Sequence, residues 1–291
     1  MAMQPSLSTG ENLSISTVSP KSKITQVFDT IVFEIQRNLR KTLYLLVLVG
    51  VFFVLDVILT ESNVSKGILL PDDSRDFVAN SLGSMSDIIY LIAVVLGSSS
   101  IAADFEKQTG HMLFPKVSRT KLLVGRIGGL YLLFALLLGA YYGLAALYTI
   151  THYAAVPWEI WESFGTALLV ALAALSFVIF ISSWMKSVAG AAVLGLLFLF
   201  IIFSSLLSLY SVFTTDEPIL LLTYYANIIT NIMKMPDTRY TDYKISVGTI
   251  TINERMWATP DPITAVSGCL IYAGVSLFLS YLIFRRRQLA S

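Results

Sequence analysis

Six apolar runs alternate with polar segments along the chain, and each is close to the length that crosses a bilayer. They cover about residues 42–60, 86–103, 122–149, 164–184, 188–213 and 263–284. A helix of about 20 predominantly apolar residues spans the hydrocarbon core. The third run is long enough for two short helices or one tilted helix. The pattern predicts an all-α membrane protein with six transmembrane helices.

The segment before the first run is amphipathic. In residues 24–40 apolar side chains recur at helical spacing, and Asp29, Glu34, Arg37 and Arg40 fall off that face. This pattern favours an interfacial "elbow" helix lying in the membrane surface; the alternative is a polar start to the first span. Residues 1–22 are rich in Ser and Thr and lack apolar periodicity, so we expect a disordered cytoplasmic tail and no cleaved signal peptide.

Composition and charge placement support the membrane class. The chain of 291 residues is 55% hydrophobic and 13% charged, whereas soluble domains carry about 25% charged residues. The tail with the first helix, the segment 101–129, the turn 182–187 and the C-terminus together hold 14 of the 20 Lys and Arg residues. The excess of basic residues on cytoplasmic loops predicts that both termini are cytoplasmic, in a cell membrane. Residues 23–291 then form a single transmembrane domain.

The predicted external segments are 61–85, 151–163 and 214–262. The apolar piece 219–233 is too short to span and indicates a re-entrant or interfacial helix pair before span six. Alternation through residues 243–252 predicts a hairpin or short strand. Asn63 begins a glycosylation sequon. Trp158, Trp161, Tyr224 and Tyr225 are placed where an aromatic belt would lie.

No catalytic, cofactor or metal motif is present in the sequence. The Walker A pattern and HExxH are absent, and Cys269 is the single cysteine. His111 is predicted to be cytoplasmic and His152 external, so they cannot share a site. We therefore expect no enzyme activity in this chain, no bound cofactor or metal, and no nucleic-acid partner.

Asp56 is an ionisable residue inside a predicted span. It lies 15 residues after Lys41, about 22 Å along the helix, which places it in the outer third of the membrane. One interpretation is a carboxylate near the external surface or paired with a loop lysine. The other is a polar pathway residue that lines the outer route.

Two pairs of small residues have the spacing that permits close helix packing. Gly139 and Gly143 form a GxxxG pattern, and Ala191 with Gly195 is a second small-xxx-small pair. We expect both to pack helices within the chain. A dimer seam is the alternative.

The polar segment between spans two and three is the strongest functional signal. It contains the acids Asp104 and Glu106, an apolar ridge at 112–114, the helix breaker Pro115 and several bases. We interpret it as a short cytoplasmic coupling helix that takes mechanical work from a partner. An ordinary solvated, inside-positive loop is the alternative.

This segment resembles the ABC-2 family of ABC-transporter permeases. The matching residues are Asp104-Phe-Glu106-Lys-Gln-Thr-Gly110, Pro115-Lys-Val-Ser118-Arg119 and Gly125-Arg126. The chain departs from the family in having Thr109-Gly110 in reverse order, a shorter distance to Pro115, and Arg126 in place of the common Lys. The layout of elbow helix, six spans and external re-entrant region is similar over nearly the whole chain.

The resemblance implies the permease subunit of an ABC transporter, mostly of export type, that works with separate ABC ATPase subunits and a second permease copy, identical or related. ATP and Mg would bind at the partner ATPase. The implied coupling residues are Asp104, Glu106, Gly110, Pro115, Ser118 and Arg119. The alternative function is a non-transport membrane scaffold or assembly component with the same fold.

Overall fold

A computed structural model describes residues 23–106, 119–247 and 250–287. The elements that precede the polar segment are α1 Lys23–Ser65, α2 Ser74–Ser81, α3 Met85–Gly97 and α4 Ala102–Glu106. After it come α5 Arg119–Tyr153, α6 Glu159–Trp184 and α7 Val188–Phe213, which contains a π-helical stretch, Leu197–Ile202. The chain ends with α8 Leu222–Ala226, α9 Ile228–Asn231, β1 Tyr240–Val247, β2 Ile250–Trp257 and α10 Pro262–Arg287.

Six helices in the described part of the chain are long and apolar enough to cross a membrane, and each contains one of the six predicted spans. The second comprises α2, α3 and α4 taken together. The third, α5, is one continuous helix, which decides between the two forms that its length allowed. The protein is a multi-pass helical membrane protein.

The predicted elbow helix is not a separate element. α1 continues without interruption for 43 residues, because no Gly or Pro occurs between Lys23 and Val49. At 1.5 Å per residue it is about 64 Å long, roughly twice the hydrocarbon core. The structure therefore agrees with the alternative, in which residues 24–40 begin the first spanning helix.

α6 is the central helix of the bundle. It is buried along much of its length and packs against α3, α5 and α10. Small residues allow these approaches: a Cβ on Gly97 of α3 would lie 2.9 Å from Val178, and Gly195 of α7 faces Val94 and Val178. The expected packing role of Ala191 and Gly195 is confirmed, since Ala191 is also fully buried.

The described residues between 214 and 262 contain two short helices and two strands, and they lie over one end of the bundle. α8 and α9 are buried against α6, and β1 pairs antiparallel with β2, with Tyr240 opposite Trp257 and Val247 opposite Ile250. The predicted hairpin is confirmed, so the fold is helical with one small β element. The belt prediction is wrong for Tyr224 and Tyr225, which are buried and donate hydrogen bonds to Glu217 and Ile219. Trp158 and Trp161 are exposed, as a belt requires.

The contact between α1 and α5 depends on glycines that the sequence pattern did not single out for packing. A Cβ on Gly125 would lie 2.6 Å from the Thr30 Cβ, and one on Gly129 would lie 2.9 Å from the Glu34 Cβ. The expectation for Gly139 and Gly143 is wrong within this chain, because no described atom lies within 4 Å of a Cβ built on either glycine. The dimer-seam alternative for this pair stays a prediction.

We expect Gly125→Ala to destabilise the protein by about 1–3 kcal/mol, because the new methyl group forces α1 and α5 apart. The matched control, Gly139→Ala, adds a methyl group to open space and improves helix propensity, so its thermal midpoint stays the same or rises. Thermal unfolding in one detergent measures both variants. Equal destabilisation by the two substitutions would contradict the assignment of the α1–α5 contact.

Candidate functional site

A cluster of charged side chains is buried at the end of the bundle where α1 and α5 begin and α4 lies. We call this end the base, and Glu34, Arg37, Asn38, Asp104 and Arg126 the base cluster. Glu34 is 0% exposed, Arg126 2% and Asp104 4%. Charged side chains are almost never fully buried unless they are paired.

α1 contributes a polar stripe at four-residue spacing. Thr30, Glu34, Asn38 and Thr42 are all buried, while the apolar Phe28 and Phe33 point outward. The Asn38 amide donates to the Glu34 carboxylate at 2.9 Å and to the Glu34 carbonyl oxygen at 3.0 Å. The sequence reading placed Glu34 on the exposed polar face, and the structure corrects this. In a membrane helix the polar face turns inward because lipid surrounds the other side.

Arg126 of α5 joins the cluster together. Its Nη1 lies 2.5 Å from Asp104 Oδ2 and 2.9 Å from the Ser100 carbonyl oxygen. Its Nε lies 3.9 Å from Glu34 Oε2. One guanidinium therefore connects α1, the turn after α3, and α4.

With Arg37, the base cluster contains two acids, Glu34 and Asp104, and two bases, Arg37 and Arg126. Arg37 Nη2 lies 2.5 Å from Glu34 Oε1, and its Nη1 lies 3.9 Å from Asp104 Oδ1. Arg37 is partly exposed, so the cluster reaches solvent on this side. Glu34 Oε2, Arg126 Nη2 and the Ser100 hydroxyl have no hydrogen-bond partner among the described residues.

Glu106 connects the same segment to a different helix. Its carboxylate accepts a hydrogen bond of 2.9 Å from the Val188 N–H at the start of α7. The Ser187 hydroxyl accepts another from Gly190 in the same turn. An anion at a helix N-terminus is stabilised by the unpaired N–H groups and the helix dipole.

Ser182 fixes the turn between α3 and α4. Its hydroxyl accepts hydrogen bonds from the Ile101 and Ala102 N–H groups and donates to the Ser98 carbonyl oxygen. Lys41 of α1 donates to the Ser99 hydroxyl at 2.7 Å. The segment that leads into residue 107 is therefore held by α1, α5, α6 and α7.

The predicted coupling residues fall into three groups. Asp104 and Glu106 are placed as described, and Asp104 is too buried to contact a partner directly. Arg119 begins α5, and its side chain is outside the description. Gly110, Pro115 and Ser118, with most of the proposed coupling helix, lie outside the described residues.

Sequence reasoning missed that Glu34, Arg37 and Asn38 belong to the same cluster as Asp104. Their signal is the repeat of Thr30, Glu34, Asn38 and Thr42, which places four polar residues on one helix face before an apolar span.

Asp56 is at the opposite end of α1. Its carboxylate lies 3.1 Å from the hydroxyl of Tyr141, and it borders a cavity of about 280 Å³. Among the side chains that the structure describes, no lysine forms an ion pair with Asp56, and both interpretations of this residue stay predictions. The described residues contain no group of three or more metal-binding side chains.

Neither a scan against protein-family models nor a search of curated proteins found a match for this chain. The class that the fold defines is a multi-pass helical membrane protein with a buried ion cluster at one end.

We expect Asp104→Asn to destabilise the protein by about 3–5 kcal/mol, because it leaves Arg126 buried without a full counter-charge. The double variant Asp104→Asn/Arg126→Gln should recover part of that loss. The control is Arg255→Gln, which breaks the exposed hairpin pair Arg255–Asp242, of 2.8 Å, and should leave the midpoint unchanged. Thermal unfolding of the unmodified protein, Asp104→Asn, Arg126→Gln and the double variant gives the coupling free energy, and strictly additive losses would contradict the pairing.

Proposed function

We propose that this chain is the permease subunit of an export-type ABC transporter of the ABC-2 class. It would move its substrate with energy from ATP that a separate ATPase subunit hydrolyses, and it would pair with a second permease copy. ATP and Mg would be held by the ATPase subunits. In this proposal the base faces the cytoplasm, the segment around 107–118 contacts the ATPase, and α8 and α9 form the external re-entrant pair.

The proposal rests on how the residues just before the segment 107–118 are bonded to the membrane helices. Asp104 is bonded to Arg126 of α5, and two residues later Glu106 is bonded to the first turn of α7. Arg126 and Arg37 extend the connection to α1. A displacement of the segment therefore pulls on three membrane helices rather than on one flexible loop.

The first part of α1 fits the role of the elbow without being a separate helix. Its exposed side chains include Phe28 at 63% and Phe33 at 50% exposure, and these suit contact with lipid. Its inner face carries Glu34 and Asn38 into the base cluster. A motion of the segment would reach the membrane surface through this helix.

The test is purification of tagged protein from its native membrane in mild detergent, with the co-purified proteins quantified by mass spectrometry. The proposal predicts a Walker-type ATPase in equal amount. No ATPase in several detergents and in a crosslinked sample would favour the scaffold alternative.

A matched pair of variants tests the role of the segment. Glu106→Gln weakens the charge-assisted bond to Val188 and frees the end of the segment, so ordering it on the ATPase costs more. Because the weakened hydrogen bond reduces the binding free energy by about 1 kcal/mol, we expect roughly fivefold less co-purified ATPase. Glu162→Gln makes the same change at an exposed position on α6, at the other end of the bundle, and should retain the full amount. Equal retention by the two variants would contradict the coupling role of Glu106.

A further inference from the structure

A cavity of about 280 Å³ lies at the end of the bundle opposite the base. The cavity is open to the surroundings and is bordered by the last third of α1, the connection 68–71 and α2, with the exposed Leu59 and Leu69 on its rim. Asp56, Thr60 and Asn80 give it a polar part, and Leu59, Val64 and Phe77 give it an apolar part. Its volume is near the lower end of the range for small-molecule sites, and its mixed lining is typical of them.

The Asp56 carboxylate in this cavity is incompletely partnered. Its hydrogen-bond donor, the Tyr141 hydroxyl, lies 3.1 Å from Asp56 Oδ2 but 2.8 Å from the Ser81 carbonyl oxygen. The single hydroxyl proton must serve both acceptors. Among the described residues no Lys, Arg or His forms an ion pair with Asp56.

The surrounding charges do not compensate for Asp56. Arg75 is paired with Glu159 at 2.8 Å, and Lys234 is paired with Asp76 at 2.8 Å. Glu61, the residue after Thr60, accepts a hydrogen bond from Tyr148, lies 3.5 Å from His152 Nε2 and adds a second carboxylate nearby. A cation entering the cavity would gain the attraction of a partly desolvated carboxylate.

We propose that this cavity binds a small organic cation, with its ammonium group on Asp56 and its apolar substituent against Leu59, Val64 and Phe77. The apolar walls suit an organic group, whereas protein sites for Ca²⁺ combine several carboxylate and carbonyl oxygens and Asp56 is the one carboxylate in the lining. That this cation is the transported substrate rests on the proposed function, whereas the binding itself does not.

The test measures binding to the purified full chain in lipid nanodiscs, without any ATPase. Choline and benzyltrimethylammonium are the probes, and 3,3-dimethylbutan-1-ol is the uncharged carbon isostere of choline. We expect saturable binding of the cations and at least about tenfold weaker binding of the isostere, equivalent to 1.4 kcal/mol or more. Failure of both cations to bind, or equal binding of the isostere, would overturn the proposal while leaving the ATPase co-purification result untouched.

Three variants locate the site. Asp56→Asn keeps the shape of the side chain and removes its charge, so cation affinity should fall at least about tenfold. Asn80→Phe fills the cavity from an exposed position on α2 and should abolish binding even if Asp56→Asn proves unstable. Asp87→Asn removes a carboxylate from α3 outside the cavity lining and should bind as the unmodified protein does. Unchanged binding in Asn80→Phe would place the site elsewhere.

A competition experiment separates organic from inorganic cations. Sodium and caesium are compared at equal ionic strength. An organic site should respond equally to both salts. Displacement by sodium and not by caesium would show an inorganic cation site and would overturn the proposal.

Discussion

The pairing of Arg126 with Asp104 and Glu34 is the constraint on which the base of the bundle depends. Glu34, Asp104 and Arg126 are buried together, with the partly exposed Arg37 beside them, between helices that lie in a membrane, where an isolated charge is costly. Each charge is tolerated because the others are within reach. This requirement fixes how close α1, α4 and α5 must come, and Gly125 and Gly129 provide the space for that approach.

Two of the helices that hold the base cluster, α1 and α5, also reach the opposite end of the bundle. α1 carries Glu34 at the base and Asp56 at the opposite end, within one uninterrupted helix. α5 likewise carries Arg126 at the base and Tyr141 beside Asp56. α1 therefore carries both a buried acid of the base cluster and part of the lining of the cavity at the opposite end, and α5 reaches the carboxylate of that cavity through Tyr141. In the proposed transporter, a movement that begins at residue 104 would reach the cavity through these two rigid helices.

Local pattern was sufficient to predict the six spans and the hairpin, because span length and strand alternation are properties of short stretches of sequence. The base cluster could be predicted only in part. Asp104 and Arg126 lie in the polar segment that the sequence singled out, but their link to Glu34 joins residues far apart in the chain. The spacing of Gly139 and Gly143 led to a wrong prediction of packing within the chain. A GxxxG pattern shows that a helix surface is flat and does not show what covers it. The continuation of residues 24–40 into the first span followed from the absence of Gly and Pro between Lys23 and Val49, a signal that the amphipathic pattern of residues 24–40 obscured.

The claim that one buried network joins three helices is tested most directly by hydrogen–deuterium exchange, which reports local opening segment by segment. The protein and its Arg126→Gln variant would be compared in the same nanodiscs. The account predicts that exchange rises together in peptides covering residues 30–42, 98–106 and 119–130, while α8 and α9 are unaffected. An increase confined to the peptide that contains residue 126 would contradict it.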